Sequence, residues 1–406
     1  MKQKIKLPPV KRKLNVLMVA PQPWFQPRGT PFSVLHRIKA MSLLGHSIDL
    51  VTYHIGEDIK IDNLTIYRAA QVPFVKNVKI GPSKTKIILD LFLYMKTRRL
   101  LKNKFYDLLH THEEASFWGV PLAKKYAMPH LYDMHSSLPQ QLNNFKFTKS
   151  GLIRNIFHRL ENYVIENSNA VITICPELQS YVEQNFPAKT SILIENVADN
   201  NIVFPQNGFD EHAIRSRFNL DGKRIILYYG TLETYQGIDL LIKSARKVVQ
   251  EQNGNVRFVL VGGSKQQILH YKKMTADQGV EANFTFTGFL QPQMIPNMVA
   301  VSDILVSPRL RGTNSPLKIY SYLRSGKPIV ATRHITHTQI MDDSVAVLTE
   351  PTADDFAQGI LSVIDDPQRR NSIVAAAQNL AEEKYSYNDY LQKVEQILEK
   401  AVEVKY

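Results

Sequence analysis

The sequence predicts an α/β protein built from two doubly wound, Rossmann-like domains. Short, almost continuously apolar segments alternate with longer helical segments, and this alternation runs through the chain twice. Strands that are apolar on both faces are typical of a parallel sheet covered by helices on both sides. A polar segment without periodicity, residues 204–208, separates the two halves. The 406 residues are sufficient for two domains with large cores.

The first half opens with a predicted strand at 14–20, a glycine-containing loop at 21–31 and a helix at 32–44 that ends at Gly45. Glycine favours the left-handed conformation that commonly follows the last helical turn, so it marks the end of this helix. The other strands of this half are predicted from apolar segments at 47–52, 108–111, 130–133, 170–174 and 191–195. Cys175 follows one of these strands and is predicted to be a small core residue.

The second half restarts with a strand at 225–229, a loop at 230–237 and a helix at 238–250. Its further elements are strands at 256–261, 284–287, 304–306, 328–331 and 345–348 and helices at 353–365, 369–383 and 388–402. Two such domains bind ligands at the carboxyl ends of their strands, so the predicted site faces a cleft between them. We therefore predict a basic tail at 1–13, an N-terminal domain at 14–204, a linker at 205–212, a C-terminal domain at 213–385 and a last helix at 386–406 that returns to the N-terminal domain.

The composition is that of a folded globular chain, with 44% apolar and 21% charged residues. A single cysteine excludes an intramolecular disulfide and any metal site with several cysteines, and it is typical of a reducing compartment. No segment reaches the ~18 apolar residues of a membrane span, and the basic N-terminus lacks the apolar core of a signal peptide. We therefore expect a cytoplasmic protein.

The net charge of +13 is concentrated in two segments. Residues 1–13 carry six bases and no acid, and residues 76–104 carry nine bases and one acid, so the rest of the chain is almost neutral. Residues 87–95 are strongly apolar, which favours shallow insertion of this segment into an anionic surface at the inner face of a membrane. The alternative is a core helix whose charged ends are solvated. We expect no nucleic acid as a partner, because the interleaved aromatic and basic pattern of nucleic-acid modules is missing.

A candidate anion site follows the predicted strand at 304–306. The next residues bring three cations close to a small polar turn: Arg309, Arg311 and Lys318. Ser315 is predicted to be the N-cap and Pro316 the first residue of a helix that continues to Arg324. Free backbone N–H groups at a helix start, together with nearby cations, form a site for an anion. The alternative is an ordinary strand–helix connection with solvated charges.

Several segments occur in an order that is known from one protein family. In the second half they are 228–242 (YYGTLETYQGIDLLI), 258–263 (FVLVGG), 286–290 (FTGFL), 302–308 (SDILVSP) and 314–332 (NSPLKIYSYLRSGKPIVAT). In the first half they are 27–52 (PRGTPFSVLHRIKAMSLLGHSIDLVT), 109–116 (LHTHEEAS) and 132–139 (YDMHSSLP). Together these segments resemble the retaining glycosyltransferases of family 4, which have the GT-B fold. The resemblance covers about residues 14–385.

The resemblance implies roles for individual residues. His135 is expected to face the donor sugar with His112 as its neighbour, whereas His110 is expected to be structural. Gly29, in the loop after the first strand, is expected to let the backbone approach the donor phosphates or the acceptor. The second half is expected to bind the nucleotide sugar through Gly230, Thr231, Gln236, Gly262, Gly288, Phe289, Leu290, Arg309 and Ser321. The diphosphate is expected to lie at Lys318 and the residues before it: Thr313, Asn314, Ser315, Pro316 and Leu317.

Four positions depart from the family pattern. The family often has an arginine and a lysine where this chain has Thr231 and Gln236, and two glutamates where it has Thr313 and Ser321. A diphosphate carries about two negative charges, and each unpaired buried charge costs several kcal/mol. One interpretation is a protein that has lost catalysis. We favour an active, divergent branch in which other cations replace the missing ones: Arg309, Arg311 and Lys318.

The predicted reaction transfers a sugar from a nucleoside diphosphate sugar to an acceptor hydroxyl with retained anomeric configuration. Lys318 and Arg311 are expected to stabilise the leaving diphosphate, and His135 to orient the sugar or the phosphate. The acceptor proton is expected to pass to the departing phosphate oxygen, so we predict no catalytic carboxylate pair, metal ion or cofactor. The expected acceptor is a glycan or a lipid-linked molecule of cell-envelope glycan or glycolipid synthesis. Two alternatives stay open: an inert, membrane-associated binding protein and a sugar-nucleotide epimerase of the same fold.

Overall fold

The computed structural model describes residues 5–26, 29–73, 75, 78, 83–137, 151–195, 205 and 208–403. The chain divides into two compact units: an N-terminal unit of residues 5–196 and 388–406, and a C-terminal unit of residues 197–387. Three of the predicted segments lie partly outside the described residues: the basic tail at 1–13, the basic segment at 76–104 and the linker at 205–212.

The N-terminal unit is built on a parallel sheet. Its strands are, in chain order, β1 Asn15–Ala20, β2 Ser47–Thr52, β3 Leu64–Arg68, β4 Leu108–His112, β5 His130–Met134, β6 Ala170–Thr173 and β7 Ser191–Leu193. Among the described residues their spatial order is β3-β2-β1-β4-β5-β6-β7, with parallel pairing throughout. The central strands β4 and β5 are entirely buried, as the predicted two-sided covering by helices requires. The helices of this unit that precede the linker are α1 Gly29–Leu43, α2 Lys84–Asn103, α3 Ser116–Lys125, α4 Gly151–Asn167 and α5 Pro176–Asn185.

The C-terminal unit repeats this architecture. Its strands are β8 Arg224–Tyr229, β9 Val256–Val261, β10 Phe284–Gly288, β11 Ile304–Ser307, β12 Ile329–Thr332 and β13 Val347–Thr349. Within the described residues the order is β10-β9-β8-β11-β12-β13, again all parallel. Its helices are α6 Glu211–Arg217, α7 Ile238–Glu251, α8 Lys265–Asp277, α9 Ile295–Val301, α10 Leu317–Arg324, α11 Ile335–Thr338, α12 Ala353–Asp365 and α13 Pro367–Lys384.

The last helix, α14 Tyr387–Glu403, lies almost entirely in the N-terminal unit, as predicted. Its buried face holds a carboxylate, Glu395, that lies 2.8 Å from Nε2 of the buried His46. On the same helix, the Tyr390 ring lies 5.3 Å from the guanidinium of Arg37 in α1. These polar contacts fix the orientation of a helix whose apolar stripe supplies most of the burial. No helix in the described part of the chain is long and apolar enough to cross a membrane.

Each sheet reverses its strand order at one point. In the N-terminal unit the reversal lies between β1 and β4, and in the C-terminal unit it lies between β8 and β11. The loops after the two strands at such a point leave in opposite directions, which opens a crevice at the carboxyl ends of the strands. The segments after β1, β4, β8 and β11 are therefore the places where the fold alone predicts a ligand.

The predicted starts are wrong for two helices that carry predicted site residues. Helix α1 begins at Gly29, so this glycine is the first helical residue and not part of the preceding loop. Pro31 fits there because the N–H groups of the first helical turn need no helical partner. Helix α10 begins at Leu317, and Pro316 is its N-cap, with an extended ψ of 131°. Ser315 lies one residue too early to cap the helix, and its Oγ makes no hydrogen bond within the described residues.

Candidate active site

A buried lysine defines the site of the C-terminal unit. Lys318, in the first turn of α10, is 8% exposed, and its Nζ lies 3.7 Å from the centre of the Tyr228 ring. The same Nζ would lie 3.8 Å from a Cβ placed on Gly230, the residue that follows β8. Arg309, which follows β11, stacks on Tyr235 with 5.2 Å between guanidinium and ring centre. Two cations thus meet at the strand-order reversal of this sheet.

Neither of these two cations has an acidic partner in the part of the chain that the structure describes. No ion pair between described residues includes Lys318 or Arg309. Burial, together with the neighbouring Arg309, lowers the pKa of Lys318 well below its ordinary value. Burial also lowers the pKa of Arg309, against the opposing influence of Tyr235 and Tyr228. A bound anion would remove both penalties, so the electrostatics favour the anion site over an ordinary strand–helix connection.

Three glycines shape the backbone beside Lys318. Gly230 and Gly262 have φ angles of +145° and +117°, and a Cβ on Gly262 would lie 2.0 Å from the carbonyl oxygen of Gly230. The Gly262 N–H donates to the carbonyl of Gly288 over 2.8 Å. The ends of β8, β9 and β10 therefore meet where side chains are sterically excluded, and a ligand can approach the backbone closely.

The residues at the four divergent positions lie at or near this site. Gln236 is buried, and its Nε2 lies 3.5 Å from Oγ1 of Thr231, so the two neutral side chains face each other. The Thr313 carbonyl accepts a hydrogen bond from Gln339 over 2.8 Å. Ser321 is buried beside Tyr229: burial raises the pKa of this tyrosine, and the Ser321 hydroxyl opposes the rise. None of the four supplies a charge.

The other predicted residues of this unit are less uniform. Arg311 is exposed, and its carbonyl accepts a hydrogen bond from Nε of Arg309 over 2.9 Å. Phe289 is 57% exposed, whereas Leu290 packs against the core. Ser315 and Pro316 are buried, and Asn314 and Leu317 are partly buried. The geometry thus brings Lys318 and Arg309 together and leaves Arg311 at the surface.

Sequence analysis missed the ring faces of Tyr228 and Tyr235 and the imidazole of His337 at this site. Tyr228 and Tyr235 provide the ring faces for the two cations, and His337 lies close enough to Lys318 and Arg309 to be influenced by their charges. His337 Nε2 lies 2.9 Å from Ser307 Oγ, and Nδ1 lies 2.8 Å from the Thr332 carbonyl. Burial lowers the pKa of His337 to about 3, so the ring is neutral at pH 7.

In the N-terminal unit, the predicted histidines lie together at the ends of β4 and β5. Nδ1 of His112 and Nε2 of His135 are 2.8 Å apart, and the rings stack with 5.0 Å between their centres. His110 stacks on the other side of His112 at 4.7 Å. All three surround the buried carboxylate of Asp133, at 3.4 Å from His110 Nε2, 3.8 Å from His112 Nδ1 and 3.4 Å from His135 Nε2. His110, which is expected to be structural, is fully buried and lies in the same cluster.

A buried ion pair fixes the charge of this cluster. Nε of Arg37 donates to Oδ2 of Asp133 over 3.0 Å, and both side chains are at most 3% exposed. Burial alone would raise the pKa of Asp133, but Arg37 and the histidines lower it well below its ordinary value. Burial lowers the pKa of His112 and His135, with Asp133 opposing the shift in each. At pH 7 the histidines are neutral rings that can donate or accept one hydrogen bond at each nitrogen.

The same cluster has the donor atoms of a metal site. One atom each from His110, His112 and Asp133 lie within 4.8 Å of one another. However, Arg37 already neutralises the Asp133 carboxylate, and a divalent cation would have to lie close to its fixed positive charge. This arrangement disfavours a metal ion and suits a hydrogen-bonding role for the rings.

Two family models together match most of the chain. The model described as Glycosyltransferase Family 4 matches residues 27–200, and the model described as Glycosyl transferases group 1 matches residues 210–380. The chain belongs to the glycosyltransferases of family 4. This assignment confirms the predicted family and makes the protein a transferase of class EC 2.4.

The relatives of this family-4 glycosyltransferase are distant. α-D-Kanosaminyltransferase of Streptomyces kanamyceticus is 24% identical over 175 residues, which are 43% of this chain and 45% of that protein. Sucrose-phosphate synthase of Thermosynechococcus elongatus superimposes with a TM-score of 0.78 at 16% identity, over 96% of this chain and 99% of that chain. The Anabaena protein HepE, solved with UDP-glucose, gives a TM-score of 0.74 at 16% identity, over 95% and 99%. The structural matches confirm the GT-B fold.

In this family-4 glycosyltransferase, the two units offer different chemistry. The C-terminal unit offers uncompensated cations and close-approach glycines, which suit a charged ligand. The N-terminal unit offers neutral imidazoles around a neutralised carboxylate, which suit the hydroxyl groups of a sugar. Among the described residues, neither set includes a pair of carboxylates placed for acid–base catalysis of glycoside hydrolysis.

Proposed function

We propose that this glycosyltransferase uses a nucleoside diphosphate sugar as donor and transfers the sugar to an acceptor hydroxyl with retention of configuration. The observation that carries the proposal is the buried Lys318 with the half-buried Arg309 beside it, two cations that have no acidic partner in the described part of the chain. A diphosphate beside Gly230 would neutralise both cations. UDP-glucose bound to HepE supports a donor of this class.

The chemistry follows from where charge develops. The leaving diphosphate gains negative charge as the bond between the sugar and the diphosphate breaks. Lys318 and Arg309 therefore stabilise the transition state more strongly than the bound substrate. Arg311, on the exposed part of the loop, contributes if the loop turns its side chain inward when the donor binds. His135 is neutral and orients a sugar hydroxyl, and the departing phosphate oxygen takes the proton of the acceptor hydroxyl.

For the acceptor, we propose a glycan or a lipid-linked molecule of cell-envelope synthesis, used at the cytoplasmic face of a membrane. The basic segments at 1–13 and 76–104 support this part of the proposal, since they would be attracted to anionic lipids. An inert binding protein and an epimerase are not favoured by the comparisons, because the matching family models and the relatives with named activities are transferases or synthases.

Thermal shifts with UDP, GDP and ADP test the donor assignment. One nucleotide should raise the melting temperature of the wild-type protein, and Lys318→Ala should weaken its binding by about 1.5–3 kcal/mol, the value of a charge-assisted hydrogen bond. Incubation with the matching nucleotide sugar and a panel of glycan and lipid-linked acceptors then tests transfer, and the anomeric proton coupling of the product tests retention. If no nucleoside diphosphate binds, the proposal is wrong.

A further inference from the structure

Helix α2 of the N-terminal unit has a second apolar face that no described residue covers. Leu89 and Leu93 are buried in the core, as expected for a helix packed on a sheet. On the opposite side, four large apolar side chains are 68%, 51%, 57% and 45% exposed: Ile87, Ile88, Leu91 and Met95. They recur at helical spacing and form one continuous stripe. Contiguous exposed apolar surface of this kind marks an interaction site more often than scattered single residues do.

The stripe borders a groove of about 660 Å³ between α2 and α3. Its apolar lining consists of Ile87, Ile88, Leu91 and Tyr94 from α2 and Trp118, Pro121 and Leu122 from α3. The Tyr94 and Trp118 rings meet edge to face with 5.5 Å between their centres, which holds this wall in place. A groove of this volume lies within the size range of small-molecule sites and is large enough for a hydrocarbon chain.

Two charged residues also line the groove, Asp90 and Lys125. The Asp90 carboxylate accepts a hydrogen bond from the Tyr53 hydroxyl over 2.5 Å. Burial and the nearby Glu114 raise the pKa of Asp90 to about 7, so a large fraction of this group is uncharged at neutral pH. Asp90 is thus a partly neutral, half-buried residue of the groove wall, whereas Lys125 is exposed.

Besides Lys125, which lines the groove, two further exposed cations continue this face of α2 beyond it. Arg98 and Lys102 follow Leu91 by seven and eleven residues, which places them on the same face of α2. Both are exposed, and neither they nor Lys125 form an ion pair with a described residue. Just beyond the helix end, Phe105 is 99% exposed. An apolar stripe with unpaired cations and an exposed aromatic ring at one end has the chemistry of a surface that lies in the headgroup region of a bilayer.

We propose that the groove between α2 and α3 binds one hydrocarbon chain of an anionic membrane lipid, while Arg98, Lys102 and Lys125 contact the phosphates of neighbouring headgroups. The proposal specifies a lipid-chain site for the membrane association proposed above, and it does not depend on the identity of the sugar donor. Charge complementarity selects an anionic lipid over a second copy of this basic chain as the occupant.

Tryptophan fluorescence can detect the chain directly, because the protein has two tryptophans and they differ in environment. Trp24 is fully buried, whereas Trp118 is partly exposed and lines the groove. The full chain is mixed with phosphatidylglycerol vesicles whose acyl chains are brominated or unmodified. Bromine quenches tryptophan on contact, so brominated vesicles should reduce the emission relative to unmodified ones, and Trp118→Phe should remove this difference. Vesicle binding without such quenching would show binding to headgroups alone and would overturn the proposal.

A matched pair of variants separates insertion from general surface effects. Leu91→Asp should weaken sedimentation with phosphatidylglycerol vesicles about tenfold or more, since it places a charge among the inserted side chains. Leu269→Asp, at a position in α8 that is 68% exposed, should leave binding unchanged. Equal binding by both variants would refute the lipid-chain site. The groove would instead be a protein interface if the wild-type protein does not bind vesicles but self-associates, and if Leu91→Asp abolishes the self-association.

The nucleotide-induced thermal shift of each variant keeps the two proposals distinguishable. Leu91→Asp should show the wild-type shift, because the groove and the Lys318 site belong to different units. A normal nucleotide shift with failed lipid quenching rejects the lipid site alone, and the reverse pattern rejects the donor assignment alone.

Discussion

Replacing Lys318 with methionine should stabilise the free protein while abolishing much of its response to nucleotide. Methionine keeps the length and apolar stem of the side chain but removes its charge. A buried charged group without a partner costs about 2–3 kcal/mol, of which the Tyr228 ring at 3.7 Å offsets about 1–2 kcal/mol. The net gain of Lys318→Met is therefore about 1 kcal/mol. For a unit of this size, that gain raises the melting temperature by about 2–4 °C.

The response to the nucleoside diphosphate that raises the wild-type melting temperature in the thermal-shift screen, written here for the case of UDP, should change in the opposite direction. At a UDP concentration of about 100 times the dissociation constant, the wild-type protein gains about 2.7 kcal/mol, or about 5–11 °C. Loss of about 2.3 kcal/mol of binding free energy weakens affinity about 50-fold. The variant then gains about 0.7 kcal/mol at the same UDP concentration, a shift of about 1–3 °C. Differential scanning fluorimetry with and without UDP measures both effects in one experiment.

A second lysine of the same unit provides the control. Nζ of Lys327 donates to the Ala300 carbonyl over 2.9 Å, and Asp303 lies near enough to oppose the lowering of its pKa by burial. Lys327→Met should therefore destabilise the free protein and leave the UDP shift intact. If Lys318→Met instead lowers the melting temperature and keeps the UDP shift, the lysine is structural and the anion site is wrong.

The pH dependence supplies an independent check on Lys318. Its pKa in the folded protein is lower than the ordinary value of 10.5, so the unfolded chain binds more protons between those two values. The penalty for burying this lysine is thus fully present below the folded-state pKa and disappears as the pH rises through 10.5. The stability advantage of Lys318→Met should accordingly shrink between pH 7 and pH 10.

Three further changes test the rest of the site. Gly262→Ala should cost more than about 2 kcal/mol of stability and remove the UDP shift, because the new Cβ meets a neighbouring carbonyl oxygen. Gly222 also has a positive φ but open space around it, so Gly222→Ala measures the backbone strain alone in parallel melts. Equal losses of stability in the two variants would contradict a steric cause. Arg37→Met should cost about 3–5 kcal/mol of stability in urea unfolding, since it leaves Asp133 buried without its partner. The same variant should reduce sugar transfer without changing UDP affinity. Unchanged transfer activity would contradict a role for the histidine cluster in the reaction. The pKa of His337 falls to about 3 on folding, so wild-type stability should decrease as the pH drops below 6.5. In urea melts at pH 7, 5 and 4, His337→Gln should reduce the slope of unfolding free energy against pH by up to about 1.4 kcal/mol per pH unit. Equal slopes for the variant and the wild type would contradict the buried neutral ring.

The sheets were predictable because each buried parallel strand leaves an apolar segment in the sequence. The prediction at 256–261 matches β9, and the prediction at 353–365 matches α12. Strand β3 was missed because it is a half-buried edge strand with the sequence LTIYR, whose polar residues interrupt the apolar pattern. Pattern analysis detects complete burial more readily than the mixed environment at the edge of a sheet.

The charged residues of the site were predicted less completely, since their function depends on partners distant in the sequence. Lys318 was found from its position near a helix start, but its contact with Tyr228 joins residues 90 positions apart. Similarly, Asp133 is central to the histidine cluster only because Arg37 pairs with it, and no local pattern links the two. Ser315 shows the opposite error: a locally good N-cap is displaced because Pro316 takes that position.

The position of Lys318 in its helix gives a reason for the divergent loop. A cation in the first turn of α10, with no acidic residue there, opposes the positive end of the helix dipole and is locally unfavourable. The family's arginine and lysine would have lain in the loop after β8, where this chain has the neutral residues Thr231 and Gln236. Lys318 nevertheless brings its Nζ to Gly230, at the start of that same loop. Lys318 therefore supplies a positive charge at the start of the loop in which the resemblance would place the family's arginine and lysine, and a locally unfavourable cation of this kind is expected where a site binds an anion.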